Sequence, residues 1–179
     1  PAAVLDRAVS SLRSGRTKYA DGQGEPSARR AIAAHLTRRS GLPTEMSQVL
    51  CVGGTQHGLF VAMTTLVEAG DEVLVPDPYY ATYEGLVAAS GATFVAVPTS
   101  PDNGFHVTAS AIEAAITPRT KVLLLNNPSN PTGAVLSVEE IDAIGEVCER
   151  HDLWIICDEV YADMTFDGTF CSPFDRPHL

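Results

Sequence analysis

The sequence predicts an α/β fold built on a mostly parallel sheet with helices on both faces. Two observations carry this. Short apolar runs alternate with longer segments of helical period, the pattern of parallel strands joined by crossover helices. The runs are nearly continuous in Val, Leu and Ile, as strands covered on both faces require.

Taken in order, residues 1–20 hold no such run and read as a lead-in segment, with the body of the domain at 21–179. Pro26 marks a helix start, Ala28, Ala31, Ile32 and Leu36 repeat at one-face spacing, and Gly41 supplies a stop. A first strand is expected at Val49 to Val52. Leu59, Met63, Leu66 and Val67 then form the apolar stripe of a helix that ends before Gly70. Further strands are expected at Glu72 to Val75 and Thr93 to Val97. Pro101, Asn103 and Gly104 make 99–107 a surface loop, and another strand follows at Lys121 to Leu125. Ser137 with Glu140 three residues later is a capping box, opening a helix through Ile141, Ile144 and Cys148 that ends near His151. The fifth strand is expected at Leu153 to Cys157.

Composition narrows the function classes. The 179 residues are 45% hydrophobic and 19% charged, which suffices for one core. A net charge of −10 argues against nucleic acid or an anionic membrane surface as partner, since neither polyanion is drawn to this field. No run reaches the length of a membrane span, and the first residues lack the basic-then-apolar order of a signal peptide, so a cytoplasmic location is expected. Cys51, Cys148, Cys157 and Cys171 show no C-x-x-C spacing and read as reduced cysteines. His35, His57, His106, His151 and His178 form no i,i+4 pair, so no metal is expected.

The chemistry lies at two strand ends. Asn127-Pro128-Ser129-Asn130-Pro131-Thr132-Gly133 follows one apolar run, and Asp158-Glu159-Val160-Tyr161 follows the next. A carboxylate carried on a rigid strand end can hold a heterocyclic nitrogen protonated, while an amide and a phenol donate to a ring oxygen. That donor set is what pyridoxal 5'-phosphate needs. Gly53-Gly54-Thr55 reads as a tight strand-to-helix turn. At a helix N-terminus, the free N–H groups of Thr55 and Gln56 with the Thr55 hydroxyl can also hold a phosphate.

The pattern N-P-x-N-P-T-G followed by D-E-x-Y resembles the class I/II aminotransferases of the aspartate aminotransferase superfamily. Tyr19 followed by Gly24-Glu25-Pro26-Ser27-Ala28-Arg29 is similar to the family's Y-x-x-x-x-G-x-x-x-L-R entry, with Ala28 in place of leucine. Gly54-Thr55-Gln56 resembles the phosphate loop, and Asp77-Pro78-Tyr79-Tyr80 the P-x-[WY] segment. Five motifs thus stand in the family's order from Tyr19 to Tyr161.

The resemblance implies the three-layer α/β/α large domain of the fold-type I enzymes, incomplete here, with 21–179 as a partial coenzyme-binding domain and the small C-terminal domain absent. It implies an enzyme that moves an amino group from an amino acid to a 2-oxo acid. Gly54, Thr55 and Gln56 would hold the coenzyme phosphate, Tyr80 would lie over the ring with Tyr79 and Tyr83 as adjacent alternatives, and Asp158 would face the pyridine nitrogen. Asn130 and Tyr161 would hydrogen-bond the phenolic oxygen. Tyr19 would reach the phosphate of a partner subunit, making a homodimer with the lead-in segment near the shared site.

The family's Schiff-base lysine and carboxylate-binding arginine have no counterpart. Only Lys18 and Lys121 occur, so the chain is expected to be an inactive N-terminal part whose sheet lacks two strands between Val49–Val52 and Leu153–Cys157. Asp77-Pro78 and Asn130-Pro131 are candidate cis peptides. A carbon–sulfur lyase or an aminocyclopropane carboxylate synthase-like enzyme fits the same motifs. A non-catalytic aminotransferase-like regulatory domain is a further alternative, although no helix-turn-helix precedes Tyr19.

Overall fold

The computed structural model describes residues 1–178. Helix α1 (Ala2–Arg13) buries none of its residues, and α2 (Pro26–Ser40) starts on Pro26 and ends on Gly41 in the left-handed region, φ 73°. After a 3-10 turn at Met46–Gln48 come α3 (Thr55–Leu66), β1 (Glu72–Asp77), α4 (Tyr83–Ala89) and β2 (Thr93–Pro98). The chain continues through α5 (Ala109–Ala115), β3 (Thr120–Asn126), α6 (Val138–Arg150) and β4 (Trp154–Asp158). The 99–107 loop carries a 3-10 turn at Pro101–Asn103 that closes on Gly104.

The four strands form one parallel sheet in the order β2-β1-β3-β4. The central strands β1 and β3 are buried on both sides, which explains their unbroken apolar runs. One core places Leu74, Leu123 and Leu125 against Ile112 of α5 and Ile141, Ile144 and Cys148 of α6. The opposite core places Val73, Val75, Val122 and Leu124 against Leu59 and Met63 of α3 and Leu86 and Val87 of α4. Ser137 caps α6 with the reciprocal Glu140 bond expected of a capping box.

Two expectations are corrected. Val49 to Val52 is not a strand among the described residues. Its polar groups pair elsewhere: the Val49 carbonyl accepts from Arg29 Nε at 2.8 Å, and the Cys51 N–H donates to the Gln23 carbonyl at 3.0 Å. With these groups occupied and no neighbouring strand beside it, the run has no ladder to join. The α2 stripe is also displaced. Arg29 and Ala33 face inward, whereas Ala28, Ala31 and Ile32 are exposed. Arg29 tolerates burial because its guanidinium also donates to the Met46 carbonyl at 2.8 Å, so two backbone acceptors replace its water.

Because β1 sends its crossover to β2 on one side and the chain then returns to β3 on the other, the order in which strands are added reverses between β1 and β3. Open α/β sheets bind ligands at such a point, outside the carboxyl ends of their strands. The carboxyl ends of β1, β3 and β4 lie at that edge with the N-terminus of α3.

Candidate active site

At this edge a cavity of about 180 Å³ is lined by Thr55, Gln56, Tyr80, Asn130, Asp158 and Tyr161, together with Leu59, Tyr83, Asn126 and Val160. Six of the eight residues singled out in the sequence therefore share one pocket. Gly54 adjoins it as the N-cap of α3, at φ 113° and ψ 165°, a conformation open to glycine. No side chain caps this helix, so the first-turn N–H groups at Thr55 and Gln56 stay available to an anion. The Gln56 Oε1 accepts from the Thr82 hydroxyl at 2.9 Å, which ties the loop to the start of α4. Tyr19 stands apart, fully exposed and outside this pocket.

Asp158, the last residue of β4, is 7% exposed. Its Oδ2 accepts from the Tyr83 hydroxyl at 2.8 Å and its Oδ1 from the Val160 N–H at 3.2 Å. Tyr83 is itself buried, and its pKa is raised, first by burial and then by the charge of Asp158. It therefore remains a neutral donor aimed at a carboxylate. Tyr80 meets Tyr83 edge-on, with ring centroids 5.7 Å apart at 78°, and remains partly exposed over the pocket. Tyr79 turns away to pack on Phe94 with centroids at 4.7 Å. Of the three adjacent tyrosines, Tyr80 and Tyr83 line the pocket.

Asn130 Nδ2 donates to the Tyr161 oxygen at 3.3 Å, which leaves the Tyr161 O–H free to donate into the cavity. The loop carrying Asn130 is held by Asn126, whose side chain accepts from the Asn130 N–H at 2.6 Å and donates to the Asp158 carbonyl at 3.0 Å. Asn127 donates to the Cys171 carbonyl and accepts from the Leu136 N–H, both at 3.0 Å. The peptides before Pro78, Pro128 and Pro131 are cis; the first and third were the candidates in the sequence.

Asn126 is not singled out by the sequence, and Tyr83 only as an alternative to Tyr80 over the ring, not as a partner of Asp158. The available signals were a tyrosine three positions after Tyr80 at a helix start, and an asparagine as the last residue of β3. Lys18 and Lys121 are exposed and do not line the cavity. Among the described residues no group of three His, Cys, Asp or Glu side chains is placed to hold a metal ion, and no helix is long and apolar enough to cross a membrane.

The donor set fits pyridoxal 5'-phosphate: an uncapped helix N-terminus for a phosphate, a buried carboxylate for a ring nitrogen, an amide–phenol pair for a ring oxygen and an aromatic wall. The profile of the family described as aminotransferase class I and II matches residues 1–176. The chain is 44% identical over its whole length to 46% of an arginine–pyruvate transaminase of Pseudomonas aeruginosa. It is 38% identical, over 94% of its length, to 43% of an aspartate aminotransferase of Geobacillus stearothermophilus. Among solved structures, aspartate aminotransferase from Thermus thermophilus with maleate superposes with a TM-score of 0.92 at 37% identity, covering 97% of this chain and 45% of that one. N-succinyldiaminopimelate aminotransferase from Mycobacterium tuberculosis does so with a TM-score of 0.92 at 40% identity, covering 97% and 46%. The chain spans a little under half the length of the relatives it matches.

Proposed function

The chain belongs to the class I and II aminotransferases, a family dependent on pyridoxal 5'-phosphate, and from that premise we propose that its protein transfers an amino group from an amino acid to a 2-oxo acid. The observation that carries the reading is the buried Asp158 carboxylate in one cavity with the Asn130–Tyr161 pair and the uncapped start of α3.

When bound, the coenzyme supplies an electron sink for the substrate α-carbon and a carrier for the amino group. Asp158 would hold a proton on the ring nitrogen, its carboxylate fixed by the Tyr83 hydroxyl. Tyr161 and Asn130 would donate to the phenolic oxygen. Gly54, Thr55 and Gln56 would hold the phosphate at the start of α3, and Tyr80 would supply the aromatic wall. Attachment of the coenzyme and proton transfer at the substrate carbon fall to residues outside these 179.

The same reading assigns residues 21–179 to part of a coenzyme-binding large domain and 1–20 to a lead-in segment. It also assigns Tyr19 to the phosphate of a second subunit in a homodimer, which the full exposure of Tyr19 supports. A cytoplasmic setting is supported by four unpaired cysteines.

The test is full-length protein mixed with pyridoxal 5'-phosphate and a panel of amino donors, arginine and aspartate among them, with pyruvate or 2-oxoglutarate as acceptor. The expected product is the amino acid of the acceptor. Ammonia released without an acceptor would point to a lyase, and a protein that binds no coenzyme would overturn the reading.

A further inference from the structure

Side chains of adjacent strand residues point to opposite faces. At the end of β4, Asp158 faces the pocket while Cys157 joins the core under α6, and Glu159 continues on that rear side. There Glu159 accepts from the Ser172 hydroxyl and from Arg39 Nη1 at 3.3 Å. Arg39 comes from α2, and its Nε donates to Asp175 Oδ1 at 3.0 Å. Asp175 Oδ2 in turn accepts from the Ser172 N–H at 3.4 Å. The four residues close a polar ring, its last link through the Ser172 backbone, that joins α2, the end of β4 and the 172–175 turn.

We propose that Arg39, Glu159 and Ser172 are positioning residues that clamp the end of β4 from behind and thereby fix the direction of the Asp158 carboxylate in the pocket; the inference rests on the coenzyme reading above. The motion they resist is rotation of the strand end about its own axis. The Asp158 carbonyl is held on the loop side by the Asn127 N–H and Asn126 Nδ2, each at 3.0 Å. The carboxylate itself is held by the Tyr83 hydroxyl and the Val160 N–H. The Arg39–Glu159–Ser172 contacts add an anchor on the following side chain, on the opposite side of the strand, and so steady the backbone that carries those bonds.

Stability alone does not account for this arrangement. Burial pushes the Glu159 carboxyl above its usual range, and the Ser172 hydroxyl and Arg39 pull it only part of the way back. Keeping the group charged therefore opposes folding, and a half-buried ion pair of this kind is weak evidence for a stabilising role. Arg39 keeps Asp175 as its partner, so a neutral isostere at position 159 leaves no unpaired cation and should leave the fold as stable as before while loosening the carboxylate one residue earlier.

The experiment uses the full-length protein with Glu159→Gln, Arg39→Met and Arg39→Lys, and Arg150→Met as a control that breaks an exposed ion pair, with Glu113, far from the pocket. Three quantities are read: the Kd for pyridoxal 5'-phosphate, the visible absorption band of the bound coenzyme, and the melting temperature of the coenzyme-free protein. Glu159→Gln is expected to melt at the wild-type temperature, yet to weaken coenzyme binding by about tenfold and shift its band, the scale of loss when the partner behind a ligand is removed. Arg39→Met should behave alike in binding, and Arg39→Lys should recover part of it. Wild-type Kd and band in Glu159→Gln would overturn the inference alone. So would a loss of affinity that only follows the melting temperature, as in Arg150→Met. A wild-type protein that binds no coenzyme would overturn the functional reading and this inference with it.

Discussion

Tyr83 is 1% exposed, and its hydroxyl has one partner, the Asp158 carboxylate. Tyr83→Phe keeps the ring in the core and removes the donor. Hydrogen bonds to charged groups contribute about 1.5–3 kcal/mol, so a loss of that order is expected in chemical denaturation at pH 7. The pH dependence has a definite sign. The native hydroxyl titrates above its ordinary value of about 10, so past that pH the unfolded chain loses a proton that the folded chain keeps, and wild-type stability falls. The deficit of the Phe variant should shrink above about pH 10, and a constant deficit would contradict the pairing. At Asp158 the isosteric Asn removes only the charge. Asp158→Asn and Asp158→Ala should reduce turnover to background while Asp158→Glu retains part, measured in the full-length enzyme; full activity in the Asn variant would exclude the nitrogen-protonating role. Asp158, Asn130 and Tyr161 were legible in the sequence because each follows an apolar run in a recognisable motif. Tyr83 was not, because choosing among three clustered tyrosines requires the phase of α4, and that helix begins at Tyr83 itself.

Helix caps were the most legible elements, since a cap is a local arrangement of a few residues. Ser137 and Glu140 close the α6 capping box as their spacing predicts. Ser137→Ala should cost about 1 kcal/mol, seen as a melting temperature lower by roughly 2–4 °C for a chain of this size. An unchanged melt would show that α6 is held by its apolar face alone. The Val49 to Val52 run shows the opposite limit. Its composition suits a strand, but strand formation requires a partner, and here the Arg29 guanidinium and the Gln23 carbonyl take up groups that a ladder would have used. The face of α2 was misread for a related reason: apolar spacing did not anticipate that an arginine would be drawn inward by two carbonyls. The short helices α4 and α5, seven residues each, carry too few turns to declare a period.

For the whole molecule, the layer order and the parallel sheet followed from the alternation of runs, whereas the assembly of the pocket depended on crossovers that no local pattern encodes. Strand β4 pairs with β3 on one side only, and among the described residues its other edge has no partner. Trp154, at the start of that edge, is 62% exposed. Unpaired strand edges recruit other strands. Residues 1–179 expressed alone should therefore form concentration-dependent multimers in light scattering; a monomer with a cooperative melt would show that the edge is tolerated. The pocket has a kinetic consequence of its own. Its walls come from four stretches, around Thr55, Tyr80, Asn126 and Asp158, which meet only when β1, β3 and β4 are registered side by side. Long-range pairings of this kind are slow to form compared with helices, so the pocket is absent from early folding species. A ligand confined to it stabilises the finished state by about 2.7 kcal/mol at a hundredfold excess over Kd. A pocket completed only after the transition state gives coenzyme no hold on it, so coenzyme is expected to slow unfolding and leave the refolding rate unchanged in stopped-flow measurements; faster refolding with coenzyme would show that the pocket forms earlier.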